Sequence, residues 1–366
     1  MSLIKLEASR CVRSLARESQ CNKCELACPT DAIVVGNNPL PAINFFACVG
    51  CGACDAICPS EALVLENFKP SEFFFSFLED EQNLISCKKN VPCIASLSVE
   101  SLISLAVLKK EMIFDMGHCD ECSIAHKCKT QIIKSHEEAL YLLEAMQSDA
   151  VIKLQNVCYE EDKEENSDRR GFFNSININN FAKTKHAFEL EVKKASDELV
   201  EHTLQKEDIA LLKKKRLTDR RKLFFTAIKR VEKPSQFHII DANEVSFTSQ
   251  KLMNEDSCIA CQMCYRVCPS GALTSDIKNS KIDFDPFLCI KCHICHDVCE
   301  VDAITLSSSY NVKEFFAPEV QNLISFKVKR CDECNIIFST NSNDKMCYRC
   351  KVEDEEAREL WGITDE

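Results

Sequence analysis

Residues 258–269 of the chain read CIACQMCYRVCP, so that four cysteines stand at intervals of three, three and four residues with a proline directly after the last. The same spacing, C-x2-C-x2-C-x3-C-P, recurs in CVGCGACDAICP at 48–59. Residues 289–300, CIKCHICHDVCE, repeat it with Glu300 in place of the proline, and a shorter run, CNKCELACP, occupies 21–29. Cysteines repeated at a fixed spacing indicate one metal-binding unit that recurs along the chain.

The four runs form two pairs. Cys24 and Cys54 lie 30 residues apart, and the equivalent Cys264 and Cys295 lie 31 residues apart. Matched intervals predict the same small module twice. We assign five segments: a first module at 1–70, a small α/β domain at 80–158, a linker and long helical segment at 159–235, a second module at 236–310, and a metal-binding hairpin at 325–355.

Composition excludes several classes of function. The 366 residues include 45 Lys and Arg against 57 Asp and Glu, a net charge of −12 that argues against nucleic-acid binding. The chain has no apolar run of roughly 18 residues, so we expect no transmembrane helix. The chain has only 7 glycines, and they form neither a glycine-rich dinucleotide-binding motif nor a phosphate-binding loop. The N-terminus MSLIKLEASRCVRSLARESQ has no export signal, so we expect a cytoplasmic protein. In that reducing compartment, clusters among its 26 cysteines indicate metal ligands or catalytic thiols rather than disulfides.

The spacing within the runs suits iron–sulfur clusters. Thiolates two residues apart on a tight loop reach neighbouring corners of one cluster, whereas the cysteine after the longer step points towards the other cluster of a pair. Zinc is the alternative, but zinc motifs rarely place four serial cysteines before a proline.

With these motifs, the chain resembles the bacterial-type ferredoxins that hold two [4Fe-4S] clusters, over roughly a third of its length. The resemblance implies crossed ligation, in which the last cysteine of each run serves the other cluster of its pair. The implied ligand sets are Cys48, Cys51, Cys54 and Cys28; Cys258, Cys261, Cys264 and Cys299; Cys289, Cys292, Cys295 and Cys268; and Cys11, Cys21, Cys24 and Cys58. The last set departs from the family pattern, because Cys11 lies further from Cys21 than that pattern requires.

Four further cysteines follow a different pattern near the C-terminus. They have the spacing C-x2-C-x12-C-x2-C and are Cys331, Cys334, Cys347 and Cys350. Two such pairs on a short hairpin predict a zinc-ribbon-like structural site with tetrahedral zinc. A rubredoxin-like iron is the alternative.

The region between the modules alternates strand and helix patterns. Strands are predicted at 84–86, 112–114 and 151–154, and helices at 99–110 and 131–146. This order predicts a βαβαβ unit with a parallel sheet. The fold class is therefore α+β: two dicluster ferredoxin-like modules, a small central βαβαβ unit and a zinc-ribbon-like hairpin.

The remaining cysteines follow the three central strands, at the sheet edge where open α/β proteins build their sites. They are Cys87, Cys93, Cys119, Cys122 and Cys128, with Cys158 after the third strand. The region loosely resembles the iron–sulfur delta subunit of viologen-reducing hydrogenases, which implies a [2Fe-2S] cluster on these cysteines. A zinc site and free buried thiols are the alternatives.

A basic block lies in the helical stretch predicted at 182–232. It contains KKKR at 213–216 and RRK at 220–222. Such a block is either a docking face for an acidic partner or membrane surface, or a solvated helix face that offsets the acidic chain.

We expect an electron-transfer protein with up to four [4Fe-4S] clusters and no catalytic residues of its own. The resemblance implies a redox partner, such as a formate dehydrogenase or a hydrogenase, of which the chain is an iron–sulfur subunit rather than the catalytic chain. Two alternatives stay open. One is a thiol or heterodisulfide-type reductase that uses the central cysteines, and the other is a redox-sensing or assembly protein.

Overall fold

The computed structural model describes residues 3–36, 38–157 and 204–363, which divide between two compact units. The first unit consists of Met1–Ala8, Asn22–Leu140 and Asp149–Leu204, and the second of Ser9–Cys21, Tyr141–Ser148 and Gln205–Glu366. Both units mix short helices with small sheets. Among the described residues, no helix is both long and apolar enough to cross a membrane.

The first unit contains the first cysteine pair from Asn22 onwards and the central α/β region apart from Tyr141–Ser148. Its elements in chain order are β1 (Ile4–Leu6), α1 (Lys23–Ala27), β2 (Ile33–Val34), β3 (Ala42–Ile43), α2 (Ala53–Ile57), β4 (Leu63–Leu65), α3 (Pro70–Glu79), β5 (Leu84–Ile85), a 3₁₀ helix at Ile94–Ser96, α4 (Val99–Lys109), β6 (Glu111–Asp115), α5 (Ala125–Ala145) and β7 (Val151–Gln155).

Short antiparallel strands close around the first cysteine pair. β1 pairs with β4, and β2 pairs with β3. Ile4, Ile33, Ile43 and Leu63 are buried on these strands, because alternate side chains of a strand face the same side. The one-turn helices α1 and α2 each end directly before the last cysteine of a run. The strands therefore supply an apolar wall beside the cysteine loops.

The central region forms a parallel sheet in the order β5-β6-β7. Its strands overlap the segments at which the sequence analysis predicts them, and α4 and α5 supply the connections. α4 is buried from Val99 to Val107, and its first turn is capped by Ser98, whose hydroxyl accepts a hydrogen bond from the Ser101 amide. The cysteine loops follow the carboxyl ends of β5 and β6.

The second unit contains the second cysteine pair and the C-terminal hairpin. Its helices are α6 (Lys206–Leu212), α7 (Asp219–Ile228), α8 (Met263–Arg266), α9 (Ile294–Asp297), α10 (Lys313–Phe316) and α11 (Tyr348–Trp361), with 3₁₀ helices at Val12–Ser14 and Ala242–Glu244. Its strands are β8 (Ile239–Asp241), β9 (Lys251–Met253), β10 (Leu273–Thr274), β11 (Lys281–Phe284), β12 (Ile304–Leu306), β13 (Ser309–Asn311), β14 (Gln321–Ser325), β15 (Lys327–Arg330) and β16 (Ile337–Thr340).

Antiparallel pairing repeats the arrangement of the first cysteine pair. β9 pairs with β12, and β10 pairs with β11, which also pairs with β14. β8 pairs with β13, and β15 pairs with β16. Ile282, Phe284, Ile304 and Ile324 form one buried cluster with the cysteines of this module. The apolar side chains exclude water from the sulfur atoms.

The single helix predicted at 182–232 is wrong where the structure describes it. α6 ends at Leu212 and α7 begins at Asp219, and the segment between them packs against the second cysteine pair instead of continuing the helix. The Arg216 amide donates to the Pro269 carbonyl oxygen at 2.7 Å. The first part of that helix, the linker at 159–170 and Cys158 lie outside the described residues.

A substitution at Gly52 tests how tightly the cysteine loop at 48–58 is packed. Its φ is +79°, and a Cβ added there would lie 2.6 Å from Ser96 Cβ. Gly52→Ala therefore adds left-handed backbone strain of roughly 1–2 kcal/mol to overpacking of about 1–3 kcal/mol. We expect a loss of roughly 2 kcal/mol or more, and a fall of about 4–8 °C in the thermal midpoint of a unit of this size.

Gly36→Ala is the matched control, because nothing lies within 4 Å of a Cβ built at Gly36. Thermal unfolding of the intact, metal-loaded chain measures both variants. Equal midpoints for Gly52→Ala and the wild type would contradict the described packing of this loop.

Candidate metal centres

Four cysteines of the first module line one pocket. Cys28, Cys48, Cys51 and Cys54 surround a space of about 350 Å³, counted with its open mouth. Ile4, Ile33 and Leu65 complete its apolar wall. The pocket therefore brings together one of the crossed ligand sets that the resemblance implies.

The second module has an equivalent pocket. Cys258, Cys261, Cys264 and Cys299 line a space of about 350 Å³, again counted with its open mouth. Met253, Ile282 and Ile304 form apolar walls. The last cysteine comes from the neighbouring run, as in the first module.

The other crossed set of this module also converges. The sulfur atoms of Cys268, Cys289, Cys292 and Cys295 act electrostatically on one another. Burial, followed by neighbouring sulfur charge, raises the pKa of Cys292, and burial raises the pKa of Cys295 to about 12. Four thiolates in such a pocket need positive charge beside them, so the donor set fits a cationic iron–sulfur core.

Backbone amides bond to the last sulfur of each run. The Ala32 amide donates to Cys28 Sγ at 3.2 Å, and the Ala303 amide donates to Cys299 Sγ at 3.2 Å. Ala62 makes the same contact with Cys58 at 3.3 Å. Hydrogen bonds to ligand sulfur atoms help to set the potential of an iron–sulfur cluster.

The fourth predicted set is divided between the units. Cys11 and Cys21 belong to the second unit, and Cys24 and Cys58 belong to the first. Cys11 and Cys58 are buried. This ligand set stays a prediction from the sequence.

The C-terminal cysteines form a compact set of donors. The sulfur atoms of Cys331, Cys334, Cys347 and Cys350 all lie within 4.8 Å of one another. Backbone amides, that of Cys334 first, lower the pKa of Cys331 to about 6. These amides favour the thiolate form of Cys331, and the four sulfur atoms could hold one tetrahedral metal ion.

This hairpin contacts the second module. The Asn341 side-chain amide donates to the Cys258 carbonyl oxygen at 3.2 Å and also to that of Glu255. The Ser339 hydroxyl donates to the Asn279 carbonyl oxygen at 2.6 Å. The order of the hairpin is thus coupled to the loop that begins at Cys258.

Four central cysteines gather at the edge of the parallel sheet. Cys87, Cys93, Cys119 and Cys122 act electrostatically on one another. Burial raises the pKa of Cys87, and it raises the pKa of Cys119 to about 11. Their convergence is what a metal site requires, although among the described residues only the C-terminal set meets the tight geometry of a single-ion site.

Cys128 takes a different position from the other central cysteines. Its thiol interacts with the side chains of both Cys51 and Cys93, and it lowers the pKa of each. It therefore lies between a cysteine of the first module and a cysteine of the central region.

A glutamine side chain joins the first module to the central region through hydrogen bonds to the backbone of both. The Gln131 side-chain amide donates to the Ala53 and Ala95 carbonyl oxygens, at 3.2 Å each. Cysteine spacing describes each loop separately and contains no signal for packing between loops, so this contact was not predicted from the sequence.

A buried carboxylate orders the loops at the sheet edge. Asp115 is 1% exposed and accepts hydrogen bonds from the Ser86 hydroxyl at 2.7 Å, the Gly117 amide at 3.0 Å and the Val157 amide at 3.2 Å. These donors come from the loops after all three strands. Asp115 closes β6 and carries no motif of its own, so the sequence analysis missed its role.

The comparisons with known proteins concern the two cysteine pairs. Residues 19–63 match one family described as a 4Fe-4S dicluster domain, and residues 250–300 match another with the same description. The chain contains two 4Fe-4S dicluster domains. This finding confirms the predicted relation to the bacterial-type dicluster ferredoxins. No curated protein and no solved structure matches the chain.

Loss of the Asp115 carboxylate tests the order of the central loops. Asp115→Ala removes three hydrogen bonds to a charged group, each of about 1.5–3 kcal/mol. We expect a loss of at least about 3 kcal/mol and a fall of roughly 6 °C or more in the thermal midpoint.

Asp149→Ala is the control, because that carboxylate is exposed and its ion pair with Lys110 lies at the surface. Its midpoint should equal that of the wild type. A similar small change in both variants would contradict the role given to Asp115.

Proposed function

We propose that the chain relays single electrons through up to four [4Fe-4S] clusters on behalf of a partner oxidoreductase. The observation that carries the proposal is the pair of equivalent pockets, each lined by four cysteines from two neighbouring runs of a dicluster domain. When bound, [4Fe-4S] clusters supply one-electron redox chemistry. Iron–sulfur domains of this kind imply electron transfer.

The residues of the chain would hold the clusters and control their surroundings. We assign the three regular ligand sets to three clusters, and Cys11, Cys21, Cys24 and Cys58 to a fourth. Thiolates bind iron, backbone amides such as that of Ala303 stabilise negative charge on sulfur, and apolar side chains such as Ile282 exclude water. Each of these features adjusts the reduction potential.

The C-terminal hairpin would bind one structural zinc ion. Four cysteine sulfur atoms leave no open coordination position, which is typical of structural rather than catalytic zinc. The hairpin would stabilise the Cys258 loop through Asn341.

The central cysteines would hold one further metal centre, either a [2Fe-2S] cluster or another metal. Cys87, Cys93, Cys119 and Cys122 are the proposed donors, and Cys128 would link them to the first module. The partner would be an oxidoreductase of the formate dehydrogenase or hydrogenase type. The chain would be located in the cytoplasm. The ferredoxin resemblance supports the partner, and clustered free cysteines suit the reducing environment of the cytoplasm.

Metal analysis of anaerobically purified chain tests this proposal. Four cubes predict about 16 Fe, and the hairpin predicts about 1 Zn. About 12 Fe would mean that the Cys11 set binds no cluster, and about 18 Fe or more would assign iron to the central cysteines. Near-zero iron with several zinc ions would contradict the electron-relay function.

Two cysteine variants separate the proposed sites. Cys334→Ser should lose the zinc and keep the iron, because only the hairpin site is changed. Cys261→Ser should lose the iron of one cluster, or change its spectrum, and keep the zinc. Loss of both metals in each variant to the same extent would contradict separate sites.

A further inference from the structure

Arg221 is a fully buried arginine beside a proposed cluster ligand. It lies in α7 and is 0% exposed. Its guanidinium donates to the carbonyl oxygen of Phe247 at 2.7 Å, to that of Cys289 at 3.1 Å, and to that of Phe287. The sequence analysis interpreted this basic block as either a docking face or a solvated helix face, and both interpretations are wrong for Arg221.

Aromatic rings fix the position of this charge. The guanidinium carbon lies 5.3 Å from the centre of the Phe247 ring and 5.6 Å from that of Phe287. Phe224, one turn further along α7, packs edge-on against Phe247. The cation is therefore held in a dry site of low dielectric constant, where its field acts strongly on neighbouring groups.

Nearby negative charge offsets the hydration that a buried guanidinium loses. Three carbonyl oxygens accept hydrogen bonds from the N–H groups of Arg221. A cluster bound by four thiolates carries net negative charge, and Cys289 is a proposed ligand of one.

Two further lysines lie beside the same ligand set. Lys251, which is 2% exposed, contacts His296 Nε2 at 2.6 Å and acts electrostatically on Cys295. Lys215 donates to the carbonyl oxygen of Tyr265 at 3.1 Å and acts electrostatically on Cys268. Cations from α7, from β9 and from the segment between α6 and α7 thus surround one set of four cysteines.

We propose that Arg221, assisted by Lys251 and Lys215, raises the reduction potential of the cluster on Cys268, Cys289, Cys292 and Cys295 and makes it the electron-collecting cluster of the second module. The inference rests on the proposed function. Reduction adds one electron, and hence one negative charge, which a fixed neighbouring cation stabilises. At the other set of this module, the contact to the Cys258 carbonyl comes from Asn341, a neutral amide.

Glu314 is the competing explanation for the buried cation. It is 5% exposed and acts electrostatically on Tyr310, which Arg221 also influences. Burial raises the pKa of Glu314, which favours its neutral form. If Glu314 rather than the cluster balanced Arg221, then Glu314→Gln would change the potential as much as a change at Arg221.

An anaerobic redox titration of the full chain, reduced with dithionite and followed by EPR, tests the proposal. The variants are Arg221→Gln, which removes the charge, Arg221→Lys, which keeps it, and Lys251→Met, which removes the second cation. Lys222→Gln is the matched control, because it removes a charge from the exposed face of the same helix. Cys292→Ser identifies the titration component of the cluster in question.

We expect Arg221→Gln to change the oxidised-to-reduced ratio of that component about tenfold at a fixed potential, or about 59 mV downwards for a one-electron couple. Lys251→Met should shift the same component in the same direction. Arg221→Lys, Glu314→Gln and Lys222→Gln should leave it near the wild-type value.

The proposal is overturned if Arg221→Gln leaves this component unchanged, if all components shift equally, or if Glu314→Gln shifts it as far. If Arg221→Gln does not retain its clusters, the potentials of Arg221→Lys and Lys251→Met test the proposal instead. Arg221→Lys should then keep the wild-type potential of this component, and Lys251→Met should lower it. These results are distinct from a failure of the proposed function, in which the wild-type chain itself would contain no iron.

Discussion

The structure depends on one electrostatic constraint: sets of four thiol groups converge in pockets with apolar walls, where their thiolate forms repel one another. Burial raises the pKa of Cys48, Cys258 and Cys295, so that without a cation each would hold its proton. A metal–sulfide core relieves this repulsion, and its binding therefore contributes to folding as well as to redox chemistry. The short strands and one-turn helices around each pocket bury too little surface to be stable alone.

The chain offsets the negative charge of the thiolates with backbone hydrogen bonds and with neighbouring cations. Backbone amides bond to the last sulfur of three cysteine runs, and the alanine four residues after each of these cysteines supplies the donor. In the second module, fixed cations from outside the cysteine loops are added. The first module instead has the Lys127 ammonium, which donates to the Cys28 carbonyl oxygen at 2.6 Å and pairs with Asp31. The two modules share one local pattern and differ in what surrounds it.

The sequence was sufficient for the features that local spacing controls. The three regular cysteine runs predicted the two dicluster domains, and the alternation of apolar segments predicted strands that pair in parallel at Leu84, Met112 and Ile152. The sequence was insufficient where contacts between segments that are distant along the chain determine the structure. The run that contains Arg221 has the composition of a solvated helix, yet its guanidinium is buried among carbonyl oxygens more than 25 residues away. The role of Asp115 and the position of Cys128 beside Cys51 were not predicted for the same reason, since no local pattern specifies these long-range contacts.

The central claim is that the chain stores and passes electrons one at a time on paired clusters. Coulometric reduction of the anaerobic, iron-loaded chain, with EPR of the fully reduced state, tests it most directly. The account predicts about four electrons per chain in one-electron steps, one for each [4Fe-4S] cluster, with magnetic interaction between the members of each pair. Uptake of electrons only in two-electron steps, with no EPR signal from the reduced iron, would instead indicate thiol–disulfide chemistry and contradict the account.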